Sequence, residues 1–250
     1  MADRKSVYFV SDVHLGLPVG NPADREERFV SFLKAIDNPE TKALYLLGDI
    51  WDFWYEYRDV IPREGSRVVA HLIMLMESGV EIWFCPGNHD IWTFSYFESI
   101  GMKRFEQPGF FNLYGKEFCL GHGDLLGGAK RGYRMMIKVF RNRFAQRVFS
   151  LLHPWIAYRI GLGLSKSNRR THAPYTFRGE DEPLFRYAAE TESSHKVDFF
   201  VFGHYHDAVN MQTPCGARLV VLKDWMDGGW SYARFDGITF SLHSKAAPSL

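Results

Sequence analysis

Cysteine is scarce in this sequence, and no two cysteines lie close together. The 250 residues contain three, Cys85, Cys119 and Cys215, and the first two lie inside apolar runs. Such a set excludes a dense disulfide framework. We interpret these residues as reduced core cysteines of a cytosolic protein. The alternative, a metal-binding or redox set of cysteines, is disfavoured because there is no close pair.

Long apolar runs are also missing. A helix needs roughly 20 consecutive apolar residues to cross a bilayer, and no run here approaches that length. Residues 1–5 are polar and lead directly into a predicted strand, so we expect no signal peptide. The 46% hydrophobic content supports a large core, and the net charge of +1 indicates no polyanionic partner. We predict a single domain over residues 1–250 that carries one insertion.

Acidic residues are absent from residues 125–179, the basic segment, which contains twelve Lys and Arg residues. Apolar residues recur there at helical spacing: Tyr133, Met136, Ile137, Phe140, Phe144, Val148 and Leu151. A second, almost wholly apolar stretch follows at 155–164, so we predict a helical insertion, or cap. It could pack on the core with a solvated basic face, contact anionic lipid, or contact nucleic acid through phosphates. The apolar stripe favours lipid, and no nucleic-acid partner is expected.

Ligand-type side chains follow five apolar runs that have the length of strands. The runs are 7–10, 43–47, 81–85, 117–120 and 199–202, and the residues that follow them are Asp12 and His14, Asp49, Asn88, His122, and His204 with His206. In an open α/β sheet, ligands bind beyond the carboxyl ends of the strands. We therefore expect these seven side chains to converge.

Carboxylate, amide and imidazole ligands together suit Mn, Fe or Zn better than Ca or Mg. Seven ligands exceed what one tetrahedral ion needs, so we predict two divalent ions with one bridging carboxylate, Mn²⁺ being favoured. Two-metal sites place their ions roughly 3.5–4 Å apart and promote in-line displacement at phosphorus. The pattern predicts metal-dependent phosphoester hydrolysis.

Helical periodicity and apolar runs alternate along the chain. We predict helices over 24–36, 66–78, 92–100 and 184–192, paired strands over 110–120, and short strands from 209 to 243. The alternation predicts an α/β fold in which two packed sheets form a sandwich with helices outside. Residues 50–57 are unusually aromatic for a loop; they could serve loop packing or form a wall of the substrate pocket.

The motifs at the strand ends resemble the calcineurin-like metallophosphoesterase superfamily. They are Asp12-x-His14, Gly48-Asp49-x-x-Asp52, Gly87-Asn88-His89-Asp90, Gly121-His122-Gly123-Asp124 and Gly203-His204-x-His206. The resemblance implies the two-sheet sandwich and a binuclear centre. It implies one metal held by Asp12, His14, Asp49 and His206, and another held by Asp49, Asn88, His122 and His204, with Asp49 bridging. His89 would be catalytic and oriented by Asp90, while Asp52 and Asp124 would support the ligands.

Within that superfamily the chain is most similar to the UDP-2,3-diacylglucosamine pyrophosphatases of lipid A biosynthesis, which share its size and an inserted basic cap. That resemblance implies hydrolysis to UMP and 2,3-diacylglucosamine 1-phosphate by a cytoplasmic protein peripheral on the inner membrane. It implies substrate contacts from Asn88, His89, Tyr133, Arg134, Ser165, Lys166, Asn168, Arg169 and His204.

Two departures from the family pattern leave alternatives open. His89 stands where those enzymes typically have arginine, and Lys130-Arg131 stands where they usually have acidic residues. The alternatives are a soluble phosphodiesterase or phosphatase of the same superfamily with another substrate, and a non-catalytic binding protein on this scaffold.

Overall fold

Two β-sheets form the centre of the fold. The structure, a computed structural model, describes residues 4–171 and 175–245, without the side chains of residues 166–171. The strands of this part are β1 (Ser6–Val10), β2 (Thr41–Leu47), β3 (Glu81–Cys85), β4 (Lys103–Arg104), β5 (Gly109–Leu113), β6 (Lys116–Leu120), β7 (Phe199–Phe202), β8 (Val209–Gln212), β9 (Arg218–Val221), β10 (Trp230–Phe235) and β11 (Phe240–Lys245). The helices are α1 (Pro22–Ile36), α2 (Ser66–Glu77), α3 (Tyr96–Ser99), α4 (Arg131–Phe140), α5 (Arg143–Phe149), α6 (Pro154–Thr171) and α7 (Pro183–Glu192).

Parallel pairing brings the predicted strand ends to shared edges. The first sheet has the order β11-β10-β1-β2-β3-β4 and the second the order β5-β6-β7-β9-β8. β1 to β4 are parallel to one another, and so are β6, β7 and β9. The carboxyl ends of β1, β2 and β3 therefore lie together, as do those of β6 and β7.

Alternation along the strands builds the layers of the core. In β1, Val7 and Phe9 face the second sheet, whereas Tyr8 and Val10 pack with α1 and α2, because successive side chains of a strand point to opposite faces. Phe9 stacks on Phe118 of β6 across the interior, with ring centroids 5.6 Å apart. A third cluster packs α7 on the outer face of the second sheet. The predicted two-sheet α/β sandwich is confirmed.

Local capping moves some of the predicted helix boundaries. α1 begins at Pro22, two residues earlier than predicted, because the side chain of Asn21 accepts a hydrogen bond from the Asp24 N–H and proline suits the first helical position. The predicted helix over 92–100 is reduced to α3. The Glu56 carboxylate accepts the N–H groups of Phe94 and Tyr96 and so starts the helix there.

The basic segment contains three helices, α4, α5 and α6. The predicted stripe over 133–151 breaks at Asn142, whose side chain accepts the N–H groups of Phe144 and Ala145 at 3.0 Å and caps α5. Among the helices of the described ranges, none combines the length and hydropathy that a transmembrane span requires. The division into a single domain with a cap at 125–179 stays a prediction.

Candidate metal centre

Five of the seven predicted ligand residues have left-handed backbone conformations. Their φ angles are 53° at Asp12, 51° at His14, 54° at Asp49, 70° at His204 and 55° at His206. Such a conformation costs a non-glycine residue roughly 1–3 kcal/mol and persists only where the surroundings hold it. Here hydrogen bonds from Asp12 N to the Gly48 carbonyl (3.1 Å) and from His14 N to the Asp49 carbonyl (2.9 Å) fix the first loops. The strand ends thus turn their side chains into one space.

Two glycines allow the backbone to approach the carboxylates. A Cβ added at Gly87 would overlap Asp49 Oδ1 and lie 2.6 Å from the Asp49 nitrogen. A Cβ added at Gly203 would overlap Asp12 Oδ2 and Ser11 Oγ. The glycines that precede the ligand residues are therefore required for space at these positions.

The first group of facing ligand atoms comes from residues that follow β1, β2 and β7. His206 Nε2 lies 3.2 Å from Asp12 Oδ1 and 3.3 Å from His14 Nε2. His14 Nε2 lies 3.7 Å from Asp12 Oδ1 and 3.9 Å from Asp49 Oδ2. These four residues are the first predicted ligand set, and their ligand atoms face one another.

The second group centres on Asp49 and His122. His122 Nε2 lies 3.3 Å from Asp49 Oδ2 and 3.1 Å from Asn88 Oδ1. The His204 ring lies 5.1 Å from that of His122, and the His204 N–H donates to Asp12 Oδ2 at 2.9 Å. Asp49 faces ligand atoms of both predicted sets, which suits the predicted bridging position.

Two histidines direct their Nε2 atoms toward the carboxylates. His122 Nδ1 lies 3.0 Å from the Leu47 carbonyl oxygen, and His14 Nδ1 lies 3.1 Å from Asp52 Oδ1. Because these partners are acceptors, each Nδ1 carries a proton and each Nε2 is the atom that faces the centre, the arrangement typical of metal-binding histidines. Asp12 Oδ1 is buried and lies 3.2 Å from His206 Nε2. A proton shared between a carboxylate and an Nε2 atom occupies the position that a cation would take, so the residues fit divalent cations.

Electrostatics keep the carboxylates ionised. Burial opposes ionisation of Asp12, but hydrogen bonds from His14 and His206 outweigh it and hold its pKa well below its usual range. Burial also opposes charging of His122, but the Asp49 carboxylate raises the His122 pKa well above its ordinary value. Burial and the charge of His122 lower the pKa of His204 to about 4. The arrangement concentrates negative charge where a cation would bind.

Asp90 supports the backbone of the centre rather than the His89 ring. Its carboxylate accepts the N–H groups of Gly87 (2.7 Å), Ile50 (2.8 Å) and Asp49 (3.2 Å). Burial and the charge of Asp49 raise its pKa to about 7. The His89 ring is oriented by Asp52, because His89 Nδ1 lies 2.9 Å from the Asp52 carbonyl oxygen. The expectation that Asp90 orients His89 is corrected accordingly.

The structure brings part of the predicted substrate-binding set to the centre. Tyr133 donates to Asp124 Oδ2 at 3.1 Å, and its ring lies 6.3 Å from that of His204. Ser165 Oγ donates to Asp52 Oδ1 at 2.9 Å. Arg134 lines a cleft on α4. The side chains of Lys166, Asn168 and Arg169 lie outside the described residues.

Ser165 and Tyr133 each donate to the last carboxylate of a strand-end motif, Asp52 and Asp124 respectively. Asp52 also contacts His14, and Asp124 also contacts Gln107. Both acids contact residues around the centre, and the supporting role that the family resemblance implies for them stays a prediction.

A buried centre of Asp, Asn and His side chains at the ends of parallel strands is thus established by geometry. A family model described as calcineurin-like phosphoesterase matches residues 5–208. The chain belongs to the calcineurin-like phosphoesterase family.

Curated relatives extend over nearly the whole chain of this phosphoesterase. A UDP-2,3-diacylglucosamine hydrolase of Porphyromonas gingivalis is 36% identical and covers 96% of this chain and 98% of that protein. One from Salmonella arizonae is 31% identical and covers 88% of this chain and 91% of that protein. A crystal structure of a dimetal phosphatase from Danio rerio has a TM-score of 0.49 at 13% identity, covering 96% of this chain and 98% of that one. Family membership rests on the sequence matches.

Sequence reasoning missed Asp224 and two arginines of α1. Asp224 Oδ2 lies 3.5 Å from His206 Nδ1, on the side of the ring away from Asp12. Arg25 is buried and donates to the carbonyl of His14 at 2.7 Å, while Arg28 donates to the Trp225 carbonyl at 2.9 Å. A signal for Asp224 existed, because it follows the apolar run 219–222 as the other acids follow theirs.

The aromatic loop of this phosphoesterase packs in the core and also lines cavities, while its function as a wall of the substrate pocket stays a prediction. Trp51 and Trp54 are fully buried and pack with the Phe97 ring at 4.7 and 4.8 Å. Phe53 and Tyr55 instead line cavities beside the basic segment. The first pair completes the core, and the second forms walls near the centre.

Proposed function

We propose that this phosphoesterase hydrolyses the pyrophosphate bond of UDP-2,3-diacylglucosamine to UMP and 2,3-diacylglucosamine 1-phosphate, a step of lipid A biosynthesis. The observation that carries the proposal is an apolar cavity of about 160 Å³ between the aromatic loop and the three helices of the basic segment. Phe53 and Trp92 line it, and they stand next to Asp52 and close to Asp90 in the chain. The metal centre and an apolar space that could receive part of an acyl chain thus share the same loops. The substrate named for the curated relatives supports the assignment.

The centre would hold two divalent ions, for which we propose Mn²⁺. The proposed ligands are Asp12, His14, Asp49 and His206 for one ion, and Asp49, Asn88, His122 and His204 for the other. When bound, the ions supply a hydroxide near neutral pH and neutralise charge on the phosphoryl oxygens.

His89 is the proposed catalytic side chain among the remaining residues. Its Nδ1 donates to the Asp52 carbonyl, so in the imidazolium form Nε2 would carry a second proton, which it could donate to a phosphoryl oxygen or give to the leaving group. Nε2 lies 3.9 Å from Asp49 Oδ2, so it faces the centre. Asp90 supports this catalysis by holding the backbone of the loop that carries Asn88 and His89.

The basic segment supplies the proposed substrate contacts beyond the metals. Tyr133 and Ser165 lie beside the centre through Asp124 and Asp52. Arg134, Lys166, Asn168 and Arg169 provide cations and amides suited to the sugar and phosphate of the product.

We infer peripheral binding to the cytoplasmic face of the inner membrane. Large apolar side chains protrude from the basic segment: Phe144 is 75%, Leu151 84% and Trp155 61% exposed. Apolar side chains among Lys and Arg without acidic neighbours are typical of a surface that contacts anionic lipid. At that surface the protein would bind a lipid substrate whose acyl chains lie in the membrane.

The direct test is product analysis. Purified protein with Mn²⁺ is expected to release UMP from UDP-2,3-diacylglucosamine in mixed micelles, and EDTA should abolish the release. Asp49→Ala should lower turnover by about a thousandfold or more, because the bridging carboxylate would be lost, while circular dichroism stays that of wild type. Release of no UMP, with hydrolysis of an aryl phosphodiester intact, would favour another substrate, as the histidine at position 89 allows.

A further inference from the structure

A second and larger cleft lies beside the centre, between the aromatic loop and the junction of α4 and α5. Its volume is about 840 Å³, within the range of small-molecule sites. Pro86 and Ile91 line one side of it. These residues flank the loop that carries Asn88 and His89, so the cleft borders the proposed reaction centre.

Three arginines form the opposite side of the cleft. Arg141, Arg143 and Arg147 line it, and within the described ranges no carboxylate lies within ion-pair distance of any of them. Guanidinium groups bind phosphate through paired N–H donors. The cleft therefore offers unpaired cations to an anion.

The acidic residues of the cleft are mostly engaged elsewhere. Glu56 accepts three backbone N–H groups at the start of α3, including that of Ser95 at 2.9 Å. Glu106 accepts from Arg104 at 3.0 Å. Glu98 also lines the cleft and opposes the arginines. Five arginines (Arg58, Arg104, Arg141, Arg143 and Arg147) and three glutamates (Glu56, Glu98 and Glu106) line the cleft, so two positive charges remain unbalanced.

An aromatic face completes the cleft. Phe94 lines it and is 40% exposed, with its ring 5.9 Å from that of the buried Tyr55. An exposed ring held against a buried one is a platform on which a nucleobase can stack. A planar face together with unpaired arginines suits a nucleotide better than inorganic phosphate alone.

A thin wall separates this cleft from the apolar cavity. Gln146 lines both spaces. Its side chain donates to the Phe140 carbonyl at 2.7 Å, and its own carbonyl accepts from the Tyr55 hydroxyl at 2.7 Å. The same part of α5 thus has a basic, aromatic space on one side and an apolar space on the other.

We infer that the cleft binds the nucleotide half of the substrate, with the base on Phe94 and the phosphate on Arg141, Arg143 and Arg147. The inference rests on the proposed function, because it assigns the two halves of a nucleotide-linked lipid to the two spaces. According to this inference, the product UMP occupies the cleft after hydrolysis and dissociates from there.

The test is UMP binding to the Mn²⁺-loaded protein, measured by calorimetry without lipid. The double variant Arg143→Gln/Arg147→Gln is expected to weaken UMP binding by tenfold or more, and Phe94→Ala by about tenfold. Glu98→Gln should tighten it a few-fold, because it removes the opposing charge. Lys130→Gln/Arg131→Gln, at the start of α4, removes the same number of charges outside the cleft and should leave UMP affinity as in wild type.

The same variants distinguish a nucleotide from a lipid headgroup. If Arg143→Gln/Arg147→Gln binds phosphatidylglycerol vesicles more weakly than Lys130→Gln/Arg131→Gln does but binds UMP as wild type does, the arginines serve the membrane and the inference is overturned.

The inference and the proposed function also fail separately. Wild-type protein that binds UMP through these residues but releases none from the lipid would refute the proposed function and support the nucleotide site. Wild-type protein that turns over the lipid, with KM and UMP affinity unchanged in the double variant and in Phe94→Ala, would overturn the inference alone.

Discussion

Single glycines determine how closely the loops of the metal centre approach one another. A methyl group at Gly87 would overlap Asp49 Oδ1, so we expect Gly87→Ala to displace the proposed bridging carboxylate. A displacement of about 1 Å can cost a hundredfold in rate, and we expect a loss of that order. The measurement is Mn²⁺-dependent UMP release alongside Mn²⁺ affinity.

Gly163→Ala is the control for that variant. Gly163 lies inside α6, and a Cβ there would meet no atom within 4 Å. Alanine is preferred to glycine inside a helix by roughly 0.5–1 kcal/mol, so Gly163→Ala should retain activity and unfold at a slightly higher temperature. Equal Mn²⁺ affinities in Gly87→Ala and wild type would contradict the steric account.

Asp224 is a positioning residue for His206. Its carboxylate faces His206 Nδ1 at 3.5 Å and would fix the ring so that Nε2 faces Asp12. Loss of such a partner typically costs 10–100-fold in metal affinity, so Asp224→Ala should weaken one of the two Mn²⁺ sites by about that factor. Paramagnetic resonance titration with Mn²⁺ measures this, with the surface variant Asp59→Ala as control. Two sites of wild-type affinity in Asp224→Ala would be evidence against the role.

At the scale of elements, α1 connects the two ends of the chain at the centre. Arg25 donates to the carbonyls of His14 and Leu17, and Arg28 donates to that of Trp225. The Trp225 N–H in turn donates to the Asp12 carbonyl at 3.1 Å. One helix therefore holds both the loop after β1 and the loop that carries Asp224.

The start of α7 provides an acid-sensitive contact at the end of the basic segment. Glu182 is buried and accepts hydrogen bonds from Arg178 Nε at 3.2 Å and from the Tyr175 hydroxyl. Burial opposes its ionisation, but these hydrogen bonds outweigh burial and lower its pKa from the usual 4.5. A lowered pKa stabilises the fold above the unfolded pKa, and that contribution is lost as the pH falls through the folded pKa.

We therefore expect Glu182→Gln to unfold with a free energy about 1 kcal/mol lower than wild type at neutral pH. Arg178 is solvent-exposed, which keeps the difference small. The difference should narrow as the pH falls below about 4.5, because the wild-type carboxylate then becomes protonated. Urea denaturation across this pH range measures it, with the exposed Glu190→Gln on α7 as control. A difference that stays constant with pH would exclude the ionic contribution.

At the scale of the whole molecule, exposed apolar residues concentrate on one segment. Phe144 and Leu151 protrude beside lysines and arginines, and burying each in lipid is worth roughly 1.5–3 kcal/mol at most. The double variant Phe144→Ser/Leu151→Ser should bind anionic vesicles at least about tenfold more weakly. Vesicle co-sedimentation measures this. Ile238→Ser removes one exposed apolar side chain outside the segment, on a turn of the C-terminal hairpin, and serves as the control for the single variant Leu151→Ser. An equal loss in these two single variants would mean that the segment is not the contact surface.

The fold class and the proposed ligand types could be predicted because both follow from local patterns. Apolar runs of strand length mark β1, β2, β3, β6 and β7, and parallel strands place their carboxyl ends at a common edge. Asp12 and Asp49 follow neighbouring strands of the first sheet, so their proximity required no knowledge of the packing. His122 follows a strand of the second sheet, and it reaches Asp49 only because the two sheets pack together.

Contacts between distant residues were decided only by the tertiary structure. Glu56 shortens α3, Asp52 rather than Asp90 orients His89, and Asp224 faces His206. Each of these contacts joins residues that lie far apart in the chain, or depends on how a loop turns after its strand, and periodicity carries no information on either. The sequence by itself determined the strand ends and their chemistry. The tertiary structure alone decided that a cleft and an apolar cavity adjoin those strand ends. Both spaces lie between the aromatic loop and the helices α4 and α5, and a cavity forms only where such elements pack together.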